Sequence, residues 1–227
     1  MYYFKTNQLP IVIAFLCIIT NSISIAQNIT TTFDFERLTN QSPTNEKITS
    51  TIVRKDKSNT QINVKFDNSS SINPYTFDID YNIIKDNDEY DVDMIALIDP
   101  MLTRHDKFKT QLLFTGDKIH YNLSNLSDKE NQNLYGTFSL KLNENITITH
   151  KISLLNRIFV RTEKMIINKV EYLIYVFQTN YSCISKSNNK IIRKTEEKLI
   201  DYFNPLLGII RIDRTDQKDN QNIISIK

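Results

Sequence analysis

The sequence predicts a mainly β fold, an antiparallel, strongly curved sheet or partly open barrel with one short helix near residues 99–109. Apolar and polar residues alternate along much of the chain, which is typical of strands with one buried face. About a dozen such segments follow at spacings of roughly 8–12 residues, as in sandwiches and barrels. The alternation favours antiparallel pairing, because parallel strands are covered on both faces.

The composition is that of an ordinary globular protein. The chain has 227 residues, of which 40% are apolar and 24% charged, so we expect one β-rich domain over residues 27–227. Three glycines are too few for glycine-rich phosphate-binding loops, and a net charge of +2 gives no general attraction to nucleic acid. We therefore expect no nucleic-acid partner.

Residues 1–26 have the pattern of a secretory signal peptide. One cation precedes an apolar run over residues 9–19, which is too short to span the roughly 30 Å of bilayer hydrocarbon. Small residues at Ser24 and Ala26 predict cleavage between Ala26 and Gln27. The alternative is an uncleaved anchor. After cleavage the domain would lie in the periplasm or outside the cell. It would then not be an integral membrane protein.

Alternation predicts the individual strands. In the clearest one, the residues between apolar Tyr75, Phe77, Ile79, Tyr81 and Ile83 are all polar. Three further segments alternate in the same way: Ile62, Val64 and Phe66; Phe138, Leu140 and Leu142; and Ile146, Ile148, His150 and Ile152. Residues 170–177 are instead a nearly continuous apolar and aromatic run, which predicts a central strand covered on both faces.

Turn-forming residues separate these strands. They lie at residues 68–71 with Pro74, at 86–88, at Gly116-Asp117, at 143–145 and at 187–189.

One helix is predicted, and one segment is ambiguous. Asp99 and Pro100 supply an N-cap and a first-turn proline for a short helix whose apolar face comprises Met101, Leu102, His105 and Phe108. Residues 191–203 are compatible with a helix or a strand, and the interpretation favours a strand.

The cysteines and histidines predict no active centre. Cys17 lies in the leader behind bulky residues, which argues against lipid attachment, and Cys183 is predicted to be a buried structural thiol rather than a reactive one. His105, His120 and His150 share no metal-ligand spacing, and surface or partly buried positions are expected for them. No catalytic, cofactor-binding or metal-binding residue is predicted, and no cofactor.

Two charged segments favour structural interpretations. The acidic run comprises Asp86, Asp88, Glu89, Asp91 and Asp93. It lacks the turn glycine and terminal glutamate of an EF-hand calcium loop, so a solvated strand face explains it better. The basic residues Lys186, Lys190, Arg193 and Lys194 are followed directly by Glu196 and Glu197. A glycosidase-type carboxylate pair stays open, since nothing in the sequence selects one.

The aromatic residues suggest a ligand class. Eleven tyrosines and twelve phenylalanines without tryptophan indicate a core built from rings on strands. A curved sheet lined by rings can enclose an apolar ligand, and the alternative is that the rings only fill the interior.

Several segments resemble a known family. Residues 202–211, Tyr-Phe-Asn-Pro-Leu-Leu-Gly-Ile-Ile-Arg, are similar to its W-Y-A-P-G-V-G-L-V-K motif. Further similar segments are Asn156-Arg157, Glu163-Lys164-Met165, residues 172–177, Asp93-Met94, Gly116-Asp117 and Tyr121. On these motifs, residues 92–227 resemble the TapB-like exported proteins of unknown function common in Bacteroidota. Asn168-Lys169-Val170 stands where that family has Pro-Ala-Gly. The resemblance implies an exported, β-rich protein and no known catalytic residue.

The sequence thus predicts a non-enzymatic envelope protein with a binding, carrier or structural role. Its expected partner is a small apolar ligand in the concave sheet face or another envelope protein. The alternatives are a hydrolase with an unrecognised carboxylate pair and a surface interaction module.

Overall fold

The computed structural model describes residues 29–68, 76–98, 113–126, 132–141 and 145–227. The predicted signal peptide over residues 1–26 and the predicted helix near residues 99–109 lie outside these ranges. Within them the only helical element is a 3-10 turn, η1, at Met94–Leu97.

The described residues form fourteen strands. The first seven are β1 Ile29–Thr39, β2 Ser42–Pro43, β3 Lys47–Arg54, β4 Asn59–Asp67, β5 Thr76–Asp86, β6 Glu89–Asp93 and β7 Leu113–Gly116. The others are β8 Lys118–Asn122, β9 Gln132–Lys141, β10 Thr147–Ile167, β11 Val170–Ser187, β12 Lys190–Asn204, β13 Gly208–Asp216 and β14 Gln221–Ile226.

The strands pair into one antiparallel sheet, which closes almost completely on itself. Its order is β7-β9-β10-β11-β12-β13-β14-β1-β3-β4-β5-β6-β8, and the short β2 pairs only with β1. The thirteen strands of this path form a nearly closed barrel with one unsealed seam, where β8 meets the end formed by β7 and β9. The predicted antiparallel, partly open barrel is thereby confirmed.

One continuous stretch of chain borders the seam on both sides. β7 pairs with β9, Asp117 follows, and β8 then pairs with β6. Asp117 extends the ladder to β9, because its N–H donates to the Tyr135 carbonyl (3.0 Å) and its Oδ2 accepts from the Tyr135 N–H (2.8 Å). The turn predicted at Gly116-Asp117 is therefore wrong: the chain continues extended and changes its partner strand.

Asparagines replace glycines in the tight turns. Two-residue hairpin turns with positive φ at both residues connect β1 to β2, β10 to β11 and β11 to β12, at Asn40-Gln41, Asn168-Lys169 and Asn188-Asn189. Such turns match the right-handed twist of the flanking strands, and asparagine tolerates the left-handed region better than most residues. This explains how a chain with three glycines builds so many hairpins.

The alternating strands bury the face that their pattern predicts. On β5, Ile79, Tyr81 and Ile83 are buried, whereas Asp78 and Asp80 are exposed. The same holds on β4, where Ile62 and Phe66 are buried. A single-residue slip would place every one of these side chains on the opposite face, so burial fixes the register.

The apolar run at residues 170–177 is a strand, but only part of it is covered. Ile174, Val176 and Phe177 are buried, while Val170 is 51% and Leu173 45% exposed. The expectation of cover on both faces is wrong for the first residues, because β12 pairs with β11 only from Tyr175 onward. Between Tyr175 and the turn that joins β10 to β11, these two strands pair only with each other and form a two-stranded hairpin.

Three other expectations are settled by the sheet. Residues 191–203 are a strand, as the interpretation favoured, within β12. Cys183 is buried on β11, as predicted. His150 is buried on β10, and not at the surface or partly buried as expected. Its inward position on the strand stacks the ring on Phe138 at 4.3 Å and places Nδ1 2.8 Å from Ser185 Oγ.

No helix among the described residues is long and apolar enough to cross a membrane.

Candidate functional site

A β-bulge brings a charged side chain into the barrel at Arg157. Along β10, Ile152 and Leu154 point inward, and the register with β9 and β11 then shifts after residues 154 and 155. Asn156 adopts a positive φ of 53° and donates its N–H to Asn133 Oδ1 at 3.0 Å. The additional residue makes Arg157 the next inward side chain, and it is 2% exposed.

Arg157 forms a buried ion pair with Asp201 of β12. Both terminal nitrogens take part: Nη1 donates to Oδ1, and Nη2 donates to Oδ2 at 2.9 Å. Nη1 also donates to Thr179 Oγ1 at 3.1 Å, and the Tyr121 hydroxyl donates to Asp201 Oδ2 at 3.0 Å. The carboxylate, which is fully buried, thus receives three hydrogen bonds from two side chains.

Aromatic rings enclose this pair. The Arg157 guanidinium lies 4.9 Å from the Tyr121 ring centroid and 4.5 Å from that of Phe177, within cation–π range of both. Tyr121 in turn stacks on Phe203 at 4.0 Å with 14° between the ring planes. The rings exclude water, so the ion pair and its hydrogen bonds act in a medium of low polarity.

The environment shifts the pKa of Tyr121 and of Arg157. Burial raises the pKa of the Tyr121 hydroxyl well above its ordinary value, the negative charge of Asp201 adds to this, and Arg157 opposes it. Burial by itself would lower the pKa of Arg157, but the charge and hydrogen bonds of Asp201 outweigh it, so the pKa lies above its ordinary value. Arg157 is cationic and Tyr121 protonated at every physiological pH.

The raised pKa of Tyr121 predicts a loss of stability in alkali. Above pH 10 the unfolded chain releases the Tyr121 proton, whereas the folded protein retains it. The free energy of unfolding then falls with rising pH, by about 1.4 kcal/mol per pH unit for each such proton. Urea unfolding at pH 9 and pH 11 should show a smaller loss for Tyr121→Phe than for the unchanged protein. Equal losses would contradict the assignment.

Within the described part of the chain, one edge of the Arg157 guanidinium has no hydrogen-bond partner. A guanidinium that pairs end-on with a carboxylate keeps a second edge, formed by the Nε hydrogen and the outer Nη2 hydrogen. Nε is buried and has no hydrogen-bond partner among the described residues. The edge presents two donors side by side in the geometry that two oxygen acceptors require.

A polar pocket lies at the seam, and the buried Arg157 is one of the residues that line it. Its volume is about 190 Å³, and it is lined by His120, Asn122, Asn125, Leu126, Gln132, Arg157, Phe159 and Phe177. We call it the seam pocket. Gln132 of β9 donates from Nε2 to the His120 carbonyl of β8 at 2.7 Å, which bridges the seam and fixes the amide. The Gln132 Oε1 atom is buried without a partner in the described part of the chain.

Carboxylates lie on the outer side of the seam pocket. The His120 ring is half-exposed, with Nδ1 2.9 Å from Asp91 Oδ1 and Nε2 3.9 Å from Glu89 Oε2. Asn122 donates to Glu89 Oε1 at 3.0 Å. The acidic run therefore does more than form a solvated strand face: two of its members hold side chains that line the pocket.

Two other concave regions differ from the seam pocket in volume and in the residues that line them. An apolar cavity of about 50 Å³ lies inside the barrel, lined among others by Phe35, Phe66 and Ile212. An open groove of about 520 Å³ is lined by residues of β10 to β13 and the turn after β13, including Glu196, Glu197, Asp216 and Asp219.

The histidines and the charged runs are distributed over the barrel. His120 lies at the seam pocket, His150 lies in the core, and His105 is outside the described residues. In the ranges that the structure describes, no three His, Cys, Asp or Glu side chains converge as metal ligands would. In the basic segment, Lys194 pairs with Glu196.

Sequence reasoning missed Arg157, Asp201 and Gln132. Arg157 and Asp201 could have been recognised in the sequence, because each is a single charged residue in a run of otherwise apolar inward positions. Their charges are opposite to each other, so the two could pair. Asp201 stands in the run Leu199-Ile200-Asp201-Tyr202-Phe203, and Arg157 follows the alternating β10 residues. Lone charges at such positions are rarely buried unless they pair. No comparable signal marks Gln132.

Fold and site together define a class: a nearly closed antiparallel barrel with a buried Arg–Asp pair and a small polar pocket at its seam. Two solved structures share the fold. One is a protein from Parabacteroides distasonis, provisionally assigned as a lipoprotein, at 13% identity and a TM-score of 0.65. The other is from Bacteroides fragilis, provisionally assigned as an exported protein with a YmcC-like fold, at 12% identity and a TM-score of 0.62.

Both alignments cover 88% of this chain and 94% of the solved one, so the chain has the YmcC-like fold. No family model matches the chain, and no curated protein matches it. These two structures come from the bacterial group that the sequence resemblance indicates, and membership of the TapB-like family itself stays a prediction.

Proposed function

We propose that the protein is an exported, non-enzymatic binding protein that takes a small polar ligand in the seam pocket. The observation that carries this proposal is the unengaged donor edge of Arg157. A buried donor without a partner costs roughly 1–3 kcal/mol, so a ligand that accepts from this edge recovers that free energy on binding. The leader pattern over residues 1–26 and the assignments of the two structural neighbours support export.

The seam is a better binding site than the barrel interior. The interior cavity measures about 50 Å³, whereas the seam pocket measures about 190 Å³. Both are below the roughly 300–1,000 Å³ of pockets for ligands of drug size, but only the seam pocket can hold a small molecule without the barrel opening. The rings that suggested an apolar ligand instead contact one another, as Tyr121 does with Phe177 at 4.9 Å and with Phe203. An apolar ligand of acyl-chain size would require this interior to open, so we place binding at the seam.

The hydrolase alternative is less well supported than binding. Glu197 and Asp216 are directly opposite each other on β12 and β13, in the open groove. A general acid needs a raised carboxyl pKa. Hydrogen bonds from Asn220 and the Lys218 backbone lower the pKa of Asp216, and those from Lys194 and Gln217 lower that of Glu196. Glu197 is paired with Arg214 at 2.9 Å.

Native mass spectrometry of protein purified from its own host tests the proposal. We expect a non-covalent small-molecule adduct on the unchanged protein and its loss in Gln132→Leu, which removes the free acceptor and the bond across the seam. Gln61→Leu is the matched control, because Gln61 is also half-buried on a strand but does not line the pocket. An unchanged protein without adduct, or an adduct that persists in Gln132→Leu, would contradict the proposal.

A further inference from the structure

We infer that the ligand of the seam pocket is a neutral polyhydroxylated molecule of about the size of one pyranose ring, that is, a saccharide unit. This inference rests on the proposed function and specifies the chemistry of its ligand. It follows from the hydrogen-bonding groups, the charges, the rings and the volume of the pocket.

The hydrogen-bonding groups require a ligand that both accepts and donates. The Arg157 edge offers two donors, and Gln132 Oε1 is an acceptor that no described residue satisfies. An ionised carboxylate could accept from Arg157 but offers no proton to Gln132. Phosphate keeps a P–OH hydrogen at neutral pH, so the charges of the pocket, and not its donors, argue against phosphate. A hydroxyl group donates one hydrogen bond and accepts others. Neighbouring hydroxyls on one ring can therefore satisfy both residues.

The charges disfavour an ion of either sign. Arg157 is neutralised by Asp201 through two hydrogen bonds, so the inner side of the pocket has no net charge to attract an anion. Glu89 and Asp91 on the outer side would repel an anion. The same carboxylates would attract an ammonium group, but they already pair with His120 and Asn122. An ammonium group also has no lone pair to accept from the donor edge of Arg157.

The rings and the volume suit one sugar ring. Phe159 and Phe177 also line the pocket, and their centroids lie 5.6 Å apart at 68°. The Arg157 guanidinium lies over the Phe177 ring, so Phe159 is the ring that can take a ligand. Ring faces carry negative charge density, which attracts the C–H groups of a pyranose. A volume of about 190 Å³ is below the usual range for ligands of drug size, so we expect a single unit rather than a longer oligosaccharide.

Nitrogen-15 NMR of the full exported chain tests the class of ligand, with the buried Arg157 Nε–H and the Gln132 side-chain amide as reporters. The neutral probes are the methyl glycosides of glucose, galactose and N-acetylglucosamine, the anionic probes are acetate and phosphate, and the cationic probe is tetramethylammonium. We expect at least one glycoside to shift both signals saturably and the ions to shift neither. Phe159→Leu should weaken that binding roughly threefold to tenfold, the contribution of one aromatic contact.

The outcomes separate this inference from the proposed function. Saturable shifts with acetate, phosphate or tetramethylammonium alone would confirm a binding pocket and overturn the saccharide class. No shift with any glycoside, in a protein that carries an adduct in native mass spectrometry, would also overturn it. No shift with any probe and no adduct would overturn both proposals.

Discussion

Replacing Asp201 with alanine should lower the free energy of unfolding by roughly 3–5 kcal/mol, because it leaves the buried Arg157 charge without its partner. The variant also removes the acceptor of the Tyr121 hydroxyl. Urea unfolding followed by circular dichroism measures the change. A loss below about 1 kcal/mol would show that water reaches Arg157 and that the pair is not buried.

The double variant Arg157→Met with Asp201→Leu is the control for this result. It removes both charges and keeps apolar bulk, which is often neutral for a buried pair. We expect it to be more stable than Asp201→Ala and to lose the ligand adduct, since the donor edge is gone. This outcome would separate stability from binding, since a stable double variant without adduct would assign the ion pair to the site and not to net stability.

Replacing Phe203 with alanine should cost roughly 3–5 kcal/mol of unfolding free energy, the usual effect of truncating a buried ring. Phe203 is fully buried, stacks on Tyr121 and contacts Tyr90 edge-on at 5.8 Å. The cavity would also remove the support of Tyr121 against Asp201. Weaker binding at the seam pocket should therefore accompany the loss of stability.

Tyr135→Ala is the matched control for the ring truncation. Tyr135 lies on β9 beside the seam, but its side chain is 56% exposed. Exposed substitutions are usually worth less than about 0.5 kcal/mol. A thermal or urea midpoint that falls equally in the two variants would mean that Phe203 does not contribute to a packed interior.

The strands were predictable because burial acts on every second residue. On β5 the buried side chains Ile79, Tyr81 and Ile83 stand at the alternate positions that the pattern marks, and only one register satisfies them. The prediction failed at residues 170–173 and at Gly116-Asp117. In both places a neighbouring strand ends or changes, and this depends on pairing over long distances in sequence.

The seam pocket was not predictable for a related reason. Tyr121, Arg157 and Asp201 come from three strands, and the bulge at Asn156 shifts Arg157 out of the alternation that precedes it. Gln132 lines the pocket because β9 faces β8 across the seam, which only the full strand order reveals. In regular strands the local pattern indicates which residues are buried, whereas bulges, strand ends and the assembly of the barrel determine the remaining buried residues and which of them meet.

The pairing of β1 with β14 has a consequence for how the molecule folds. Phe35 is opposite Ile226, and the Lys227 N–H donates to the Asp34 carbonyl at 3.0 Å, so strands from the two ends of the described chain are neighbours. The early hairpins can form before β14 is available, but until then β1 keeps a vacant backbone edge. High contact order of this kind slows folding, and an exposed edge invites aggregation until it is paired. A holdase chaperone acting during that interval should raise the yield of native protein.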